Sequence, residues 1–198
     1  MLRTNWGYDI YVEELPPLIS IEQFNAITDN QWADNEAKIK LALSATSQAV
    51  RDFCNWHISP VLECTVELSA DGGKTIQLPA LSVEDIVRVS EDEQELAEGA
   101  YQWKRNGSLR RACYRNWTDK WQGVKVDYRA GMINDSVLAQ IVAQITASSV
   151  AASWGVQSES VGEVSVAYNQ TASGVSGGVS LLERDCVMLN PYRIGGLW

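Results

Sequence analysis

From Ile39 onward, apolar side chains recur at three- and four-residue spacing: Ile39, Leu43, Val50 and Phe53, with Thr46 filling the gap. That period puts them on one face of an α-helix. The helix starts at Asp34-Asn35-Glu36, a capping residue followed by acid in the first turn. It ends near Trp56-His57, because Pro60 bars continuation. The predicted span is about 35–56. Upstream, Ser20-Ile21-Glu22-Gln23 has the form of a capping box and opens a shorter helix that stops before Asn30. Residues 1–20 keep no period and read as an irregular arm.

The middle of the chain changes period. Cys64–Leu68 and Thr75–Leu78 alternate on either side of the turn Asp71-Gly72-Gly73, which predicts a hairpin. Val83–Val89 is a third strand, and Val124–Tyr128 alternates cleanly until Ala130-Gly131 breaks it. Between them, Tyr101–Arg105 and Ser108–Arg111 flank Asn106-Gly107, the strongest short hairpin signal. Residues 61–131 are therefore expected to form a β-rich insertion of five or six short antiparallel strands.

Helix returns at Asp135, and Val137, Leu138, Ile141, Val142, Ile145, Val150 and Trp154 give it a wide apolar stripe that ends at Gly155 and bears no charge. A surface helix normally carries charge outward, so this one is expected to be covered on most sides. Gln144 and Trp154 are its candidate subunit-interface residues. Ser173–Gly178 reads as a flexible connection, and a last short helix spans about 181–189 before Asn190-Pro191. Helices, then strands, then helices without βαβ alternation give an α+β class: a helical core with a β-rich insertion. The expected division is an arm (1–34), a main domain (35–193) and a tail (194–198).

Charge narrows the functions. The net charge is −9, which disfavours non-specific binding to DNA or anionic lipid. Met1–Trp6 has no apolar core region, so no signal peptide is expected and synthesis would leave the chain in the cytoplasm. No stretch is apolar enough to suggest a membrane partner. Cys54, Cys64, Cys113 and Cys186 are too scattered for a zinc or disulfide framework and are expected to be reduced, mostly buried thiols.

Catalysis finds little material. His57 is the sole histidine and is expected to satisfy a helix end. Gly73-Lys74-Thr75 lacks the glycine that a phosphate loop needs five positions before the lysine. The acids of Glu91–Glu95 read as a solvated edge. No catalytic residue, metal ligand or cofactor is expected.

One local signal opposes the overall acidity. Lys104, Arg105, Arg110, Arg111, Arg115 and Lys120 are interleaved with Trp103, Tyr114, Trp117 and Trp121. Such a mixture suits phosphate contact and base stacking. It equally suits a charge match to an acidic neighbour such as 91–98, or a solvated face. Arg110 and Arg111 are candidate subunit-interface residues on the protein-contact reading. The alternative function is a nucleic-acid-binding module using the hairpin 103–121.

Four segments together resemble the phage head–tail connector, or adaptor, family. They are the helix through Ile39–Trp56 with Pro60 and the strand Val61–Leu68; Val124-Lys125-Val126-Asp127-Tyr128-Arg129-Ala130-Gly131, similar to V-x-V-x-Y-x-A-G; Ser158-Glu159-Ser160-Val161-Gly162-Glu163-Val164-Ser165-Val166, similar to S-E-S-x-G-x-x-S-x; and Leu189-Asn190-Pro191-Tyr192-Arg193, similar to L-x-P-Y-R. The resemblance implies a non-enzymatic subunit of a homo-oligomeric ring, commonly a dodecamer. Such a ring docks beneath a portal protein and above a stopper or tail protein, and DNA passes through it without specific binding. It implies a location at the virion neck, after assembly in the host bacterial cytoplasm. The end of the chain fits a docking peptide, because Leu197-Trp198 after two glycines gains by burial. Tyr192, Arg193, Leu197 and Trp198 are the candidate portal-docking residues.

Overall fold

The computed structural model describes residues 1–133, 135–151 and 180–195, and the backbone alone of 158–161 and 164–167. The α+β class holds. The chain divides into two compact units, one formed by 1–15, 55–134 and 194 onward, the other by 16–54 and 135–193.

The first unit is built on β-structure. β1 (Leu2–Arg3), β2 (Asp9–Ile10), β3 (Leu62–Leu68), β5 (Val83–Glu91), β6 (Gln94–Glu95) and β9 (Val124–Ala130) form one antiparallel sheet, ordered β1-β2-β3-β9-β5-β6. β4 (Thr75–Gln77), β7 (Tyr101–Trp103) and β8 (Ser108–Arg111) form a smaller sheet, ordered β4-β8-β7. Two expectations are corrected here. The turn at Asp71–Gly73 does not close a hairpin: β3 pairs with β2 and β9, while β4 pairs with β8. The arm is not irregular throughout, because Asp9 and Ile10 pair with Thr65 and Cys64.

The Asn106-Gly107 hairpin forms as its sequence demands, with Gly107 at φ +83° and Tyr101–Trp103 registered against Leu109–Arg111. Inward residues of the central strands are closed off: Cys64, Val66 and Leu68 on β3, Val124, Val126 and Tyr128 on β9. Gly131 ends β9 at φ +142°, and a Cβ there would collide with the Pro60 carbonyl. His57 is wholly buried. Its Nδ1 lies 2.8 Å from the Tyr8 hydroxyl and its Nε2 2.8 Å from the Ala130 carbonyl oxygen. The Ala130 carbonyl can only accept, so the ring donates from Nε2; in the neutral ring Nδ1 then accepts the proton of the Tyr8 hydroxyl, whose oxygen accepts the His57 backbone N–H. His57 thus fastens the arm to the end of β9 rather than capping a helix.

The second unit is helical: α1 (Ile21–Ile27), α2 (Glu36–Cys54), α3 (Ser136–Ala151) and α4 (Glu183–Leu189). The capping box at Ser20 and Gln23 is present in both directions. α2 buries Ile39, Leu43, Thr46 and Val50, as its period requires, and also Arg51, whose Nη2 donates to the Pro16 carbonyl. Lys38 Nζ donates to the Val150 carbonyl, placing a cation on the last turn of α3. The backbones of β10 (Ser158–Val161) and β11 (Val164–Ala167) pair as an antiparallel hairpin.

Candidate assembly surfaces

The uncharged helix α3 is half covered. Leu138, Ile141, Val142, Ile145 and Val150 are buried, but Val137, Gln140, Gln144 and Ser148 are exposed. The expectation of cover on most sides therefore fails within the single chain. What remains is an open helical stripe carrying polar atoms and no charge, with Gln144 in its middle. Trp154 lies outside the described residues.

Asp135 caps α3 with one carboxylate oxygen, which accepts the N–H groups of Val137 and Leu138 at 2.9 and 3.0 Å. Its other oxygen accepts the Tyr192 hydroxyl at 2.9 Å. Burial, and after it the bond and charge of Asp135, push the Tyr192 phenol up to about 12. Tyr192 is 8% exposed, so it ties the end of α4 to the start of α3 instead of waiting for a partner. Arg193 is exposed, with its guanidinium 5.0 Å from the Phe53 ring centre. Ile194, the first residue of the expected tail, is buried, and its carbonyl accepts from Asn55 Nδ2. Leu197 and Trp198 lie outside the described residues.

The basic segment sorts into two kinds of cation. Arg111 turns inward: Nη2 meets Glu91 at 2.7 Å, Nη1 donates to the Ala100 carbonyl, and the guanidinium lies 5.4 Å from the Trp117 ring centre. Lys120 pairs with Asp92 at 3.4 Å. Both contacts are the intramolecular charge match to 91–98, so Arg111 is not presented to a neighbour. Arg110 is the opposite case, exposed and 6.0 Å from the ring centre of the equally exposed Tyr114. Sequence reasoning missed that two adjacent arginines point to different faces; the alternation of a strand was the available signal.

Two polar hollows lie side by side on the β-rich unit and share Glu67, Gln122 and Lys125. The shared residues hold a Lys125–Glu67 ion pair at 3.0 Å. His57, with both ring nitrogens engaged, lines neither. Among the described residues no group of acids, cysteines or histidine could hold a metal ion. Burial pushes the thiols of Cys54 and Cys64 up to about 12, far from reactive thiolates. Cys113, by contrast, is exposed. Among the described residues no helix is long and apolar enough to cross a membrane.

The model of the head completion protein family matches residues 17–179. The chain belongs to that family of phage head–tail connectors. No curated protein matches it. A head completion fold of this kind has counterparts among solved structures. One is a chain from the neck of an empty GTA particle computed with C6 symmetry, at 14% identity and TM-score 0.57, over 96% of this chain and 97% of that one. Another is from the neck of a native GTA particle computed with C12 symmetry, at 12% identity and TM-score 0.50, over 93% and 97%. At such identities the likeness is one of fold, and it extends along nearly the whole length of both chains.

Proposed function

We propose that this head completion protein is a non-enzymatic ring subunit that docks beneath the portal and above a stopper or tail protein, joining the filled head to the tail. The observation that carries the reading is the family match over 17–179, to which the neck chains add a fold shared over almost the full length. The ring has twelve copies and encloses the DNA path without binding DNA specifically. A net charge of −9 suits a passage that must not hold a polyanion. No cofactor takes part. The nucleic-acid-binding alternative draws less support, because Arg111 and Lys120 are already neutralised by Glu91 and Asp92.

Docking falls to Arg193, Leu197 and Trp198, with Tyr192 setting where the tail departs. Truncation after Arg193 would remove Ile194, which is buried, so truncation after Gly195 is the cleaner test. The shortened chain should melt like the full one and fail to join portal-bearing heads in negative-stain images. If it joins them as well as the full chain, the tail is not the docking element. If the full chain forms no collar on portal at any concentration, the connector reading is wrong.

A further inference from the structure

β3 reaches further than the strand beside it. Asp9 and Ile10 of β2 pair with Thr65 and Cys64, and the Tyr11 N–H donates to the Glu63 carbonyl at 2.9 Å. Opposite the rest of β3 the arm turns away, with Gly7 at φ +83° and the Thr4 N–H on the Tyr8 carbonyl. Val66, Glu67 and Leu68 therefore have β9 on one side and no strand on the other. In an antiparallel ladder both backbone polar groups of one residue point to one side, and those of the next residue to the opposite side. Glu63 and Thr65 address β2, so Glu67 addresses the empty side. Among the described residues neither its N–H nor its carbonyl has a hydrogen-bond partner there.

That empty side is a hollow, lined by Gly7 and Tyr8 from the arm and by Val66 and Glu67 from β3. The adjoining hollow, which shares Glu67, Gln122 and Lys125 with it, carries Trp121, 90% exposed. The turn that presents Trp121 is fastened: the Gln122 N–H donates to the Ser69 hydroxyl at 3.0 Å, and the Gly123 carbonyl accepts the Asp92 N–H at 2.8 Å. An indole on an anchored turn costs little entropy to immobilise against a ligand. Every arginine and lysine of the two linings already faces an acid: Arg3 with Asp9, Lys125 with Glu67 and Lys120 with Asp92. None is left over for a phosphate or a carboxylate.

We propose that this slot takes an uncharged, extended segment of a partner protein, which adds as a strand along Val66–Leu68, in line with β2, and lays an apolar side chain on Trp121. Backbone recognises backbone here. A residue placed opposite Glu67 in antiparallel register exchanges both hydrogen bonds with it, and the three open positions span about 10 Å. Nucleic acid is held chiefly through unpaired cations, which the slot lacks. The pairing does not depend on the ring reading above.

The test uses the full chain and a panel of capped, uncharged pentapeptides that alternate Thr and Val and end in Leu, Phe or Trp. Amide exchange followed by NMR reads the slot. In the free chain the Glu67 amide should exchange like an unpaired one, while Val66 and Leu68, which face β9, are protected. Saturating peptide should slow the Glu67 amide about tenfold or more. The same peptide N-methylated on its pairing residues should not. Glu67→Pro removes the N–H on the open side, where a strand edge tolerates proline, and should abolish binding. Trp121→Ala changes an exposed residue, should melt like the wild type and should bind about fivefold or more weakly. If Glu67→Pro perturbs the fold, Trp121→Ala and the N-methylated peptides decide. The proposal is overturned if no peptide slows the Glu67 amide, if that amide is already protected in the free chain, or if the variants bind as the wild type does. It is equally overturned if protection rises with protein concentration alone, because the occupant is then a second copy. A chain that takes the peptides but forms no collar on portal would sink the connector reading and leave this one standing.

Discussion

Arg111 and Glu91 form an ion pair whose side chains are only 11% and 13% exposed, between the end of the long strand β5 and the middle strand of the small sheet. Removing one member of such a pair leaves the other charge shielded from water and unanswered. We expect Arg111→Ala to lower the unfolding free energy by about 3 kcal/mol or more, and Glu91→Ala to do likewise, since Glu91 also holds the Thr118 N–H. Arg110→Ala, one residue away and exposed, should stay within about 0.5 kcal/mol. Urea melts of the three variants check the contrast. Equal effects at 110 and 111 would refute the two-faced reading of the segment.

Gly131→Ala should be among the most damaging changes in the β-rich unit. The residue sits at positive φ, and an added methyl meets the backbone of Pro60 and Val61, which has no side-chain freedom with which to yield. A loss of about 3 kcal/mol or more follows from strain and overpacking together. A thermal melt unchanged from the wild type would show that the 60–61 backbone can retreat.

Tyr192→Phe deletes the hydroxyl that holds Asp135 at the start of α3. A hydrogen bond to a charged acceptor is worth roughly 1.5–3 kcal/mol, and about that loss is expected at neutral pH. The phenol ionises near 10 in the unfolded chain and is pushed up to about 12 in the fold. Its contribution is therefore complete below pH 10 and drains away as pH rises towards 12. Buried Tyr128 and partly buried Tyr101 are raised as well, so the wild type should lose stability across that window for three reasons. Denaturant melts from pH 9 to 12 should show a shallower slope for Tyr192→Phe; parallel slopes would remove Tyr192 from the account.

Gln144→Glu probes the open stripe of α3. Because Gln144 is exposed, the free chain should melt within about 0.5 kcal/mol of the wild type. A charge in the middle of an uncharged surface should nonetheless reduce ring formation if that stripe is covered in the assembly. Sedimentation and melting on the same preparation separate the two effects. Normal assembly by this variant would leave the stripe without a role in packing.

The sequence was most readable where a signal is local. The Ser20–Gln23 box, the Ile39–Val50 face, the Asn106-Gly107 turn and the cleanly alternating strand before Gly131 all lie within a few residues of what they specify. Strand partners were not readable in this way. Nothing near Asp9 and Ile10 announces a sheet whose receiving strand lies more than fifty residues on, and the turn at Asp71–Gly73 suggested the nearer partner for β4 when the true one was β8. The same limit applies to the proposed site. Residue type marked Arg110, Arg111 and Tyr192 as exposed contacts. Only the fold reveals that Arg111 and Tyr192 each have a carboxylate of the same unit waiting for them.

The division of the chain into interleaved pieces sets an order on its birth. A ribosome delivers residues from the amino end, so the six-stranded sheet lacks its central strand β9 until Val124–Ala130 has emerged. Once that strand arrives, every strand of both sheets is available, and the β-rich unit can close while α2 still lacks α3. α2 must then wait, with Ile39, Leu43 and Val50 uncovered, until Ser136–Ala151 leaves the tunnel. A nascent chain held at the point where residue 134 has just cleared the ribosomal tunnel should therefore protect its β amides from exchange with solvent and leave those of α2 open. The helical unit would be the last part of the chain to mature.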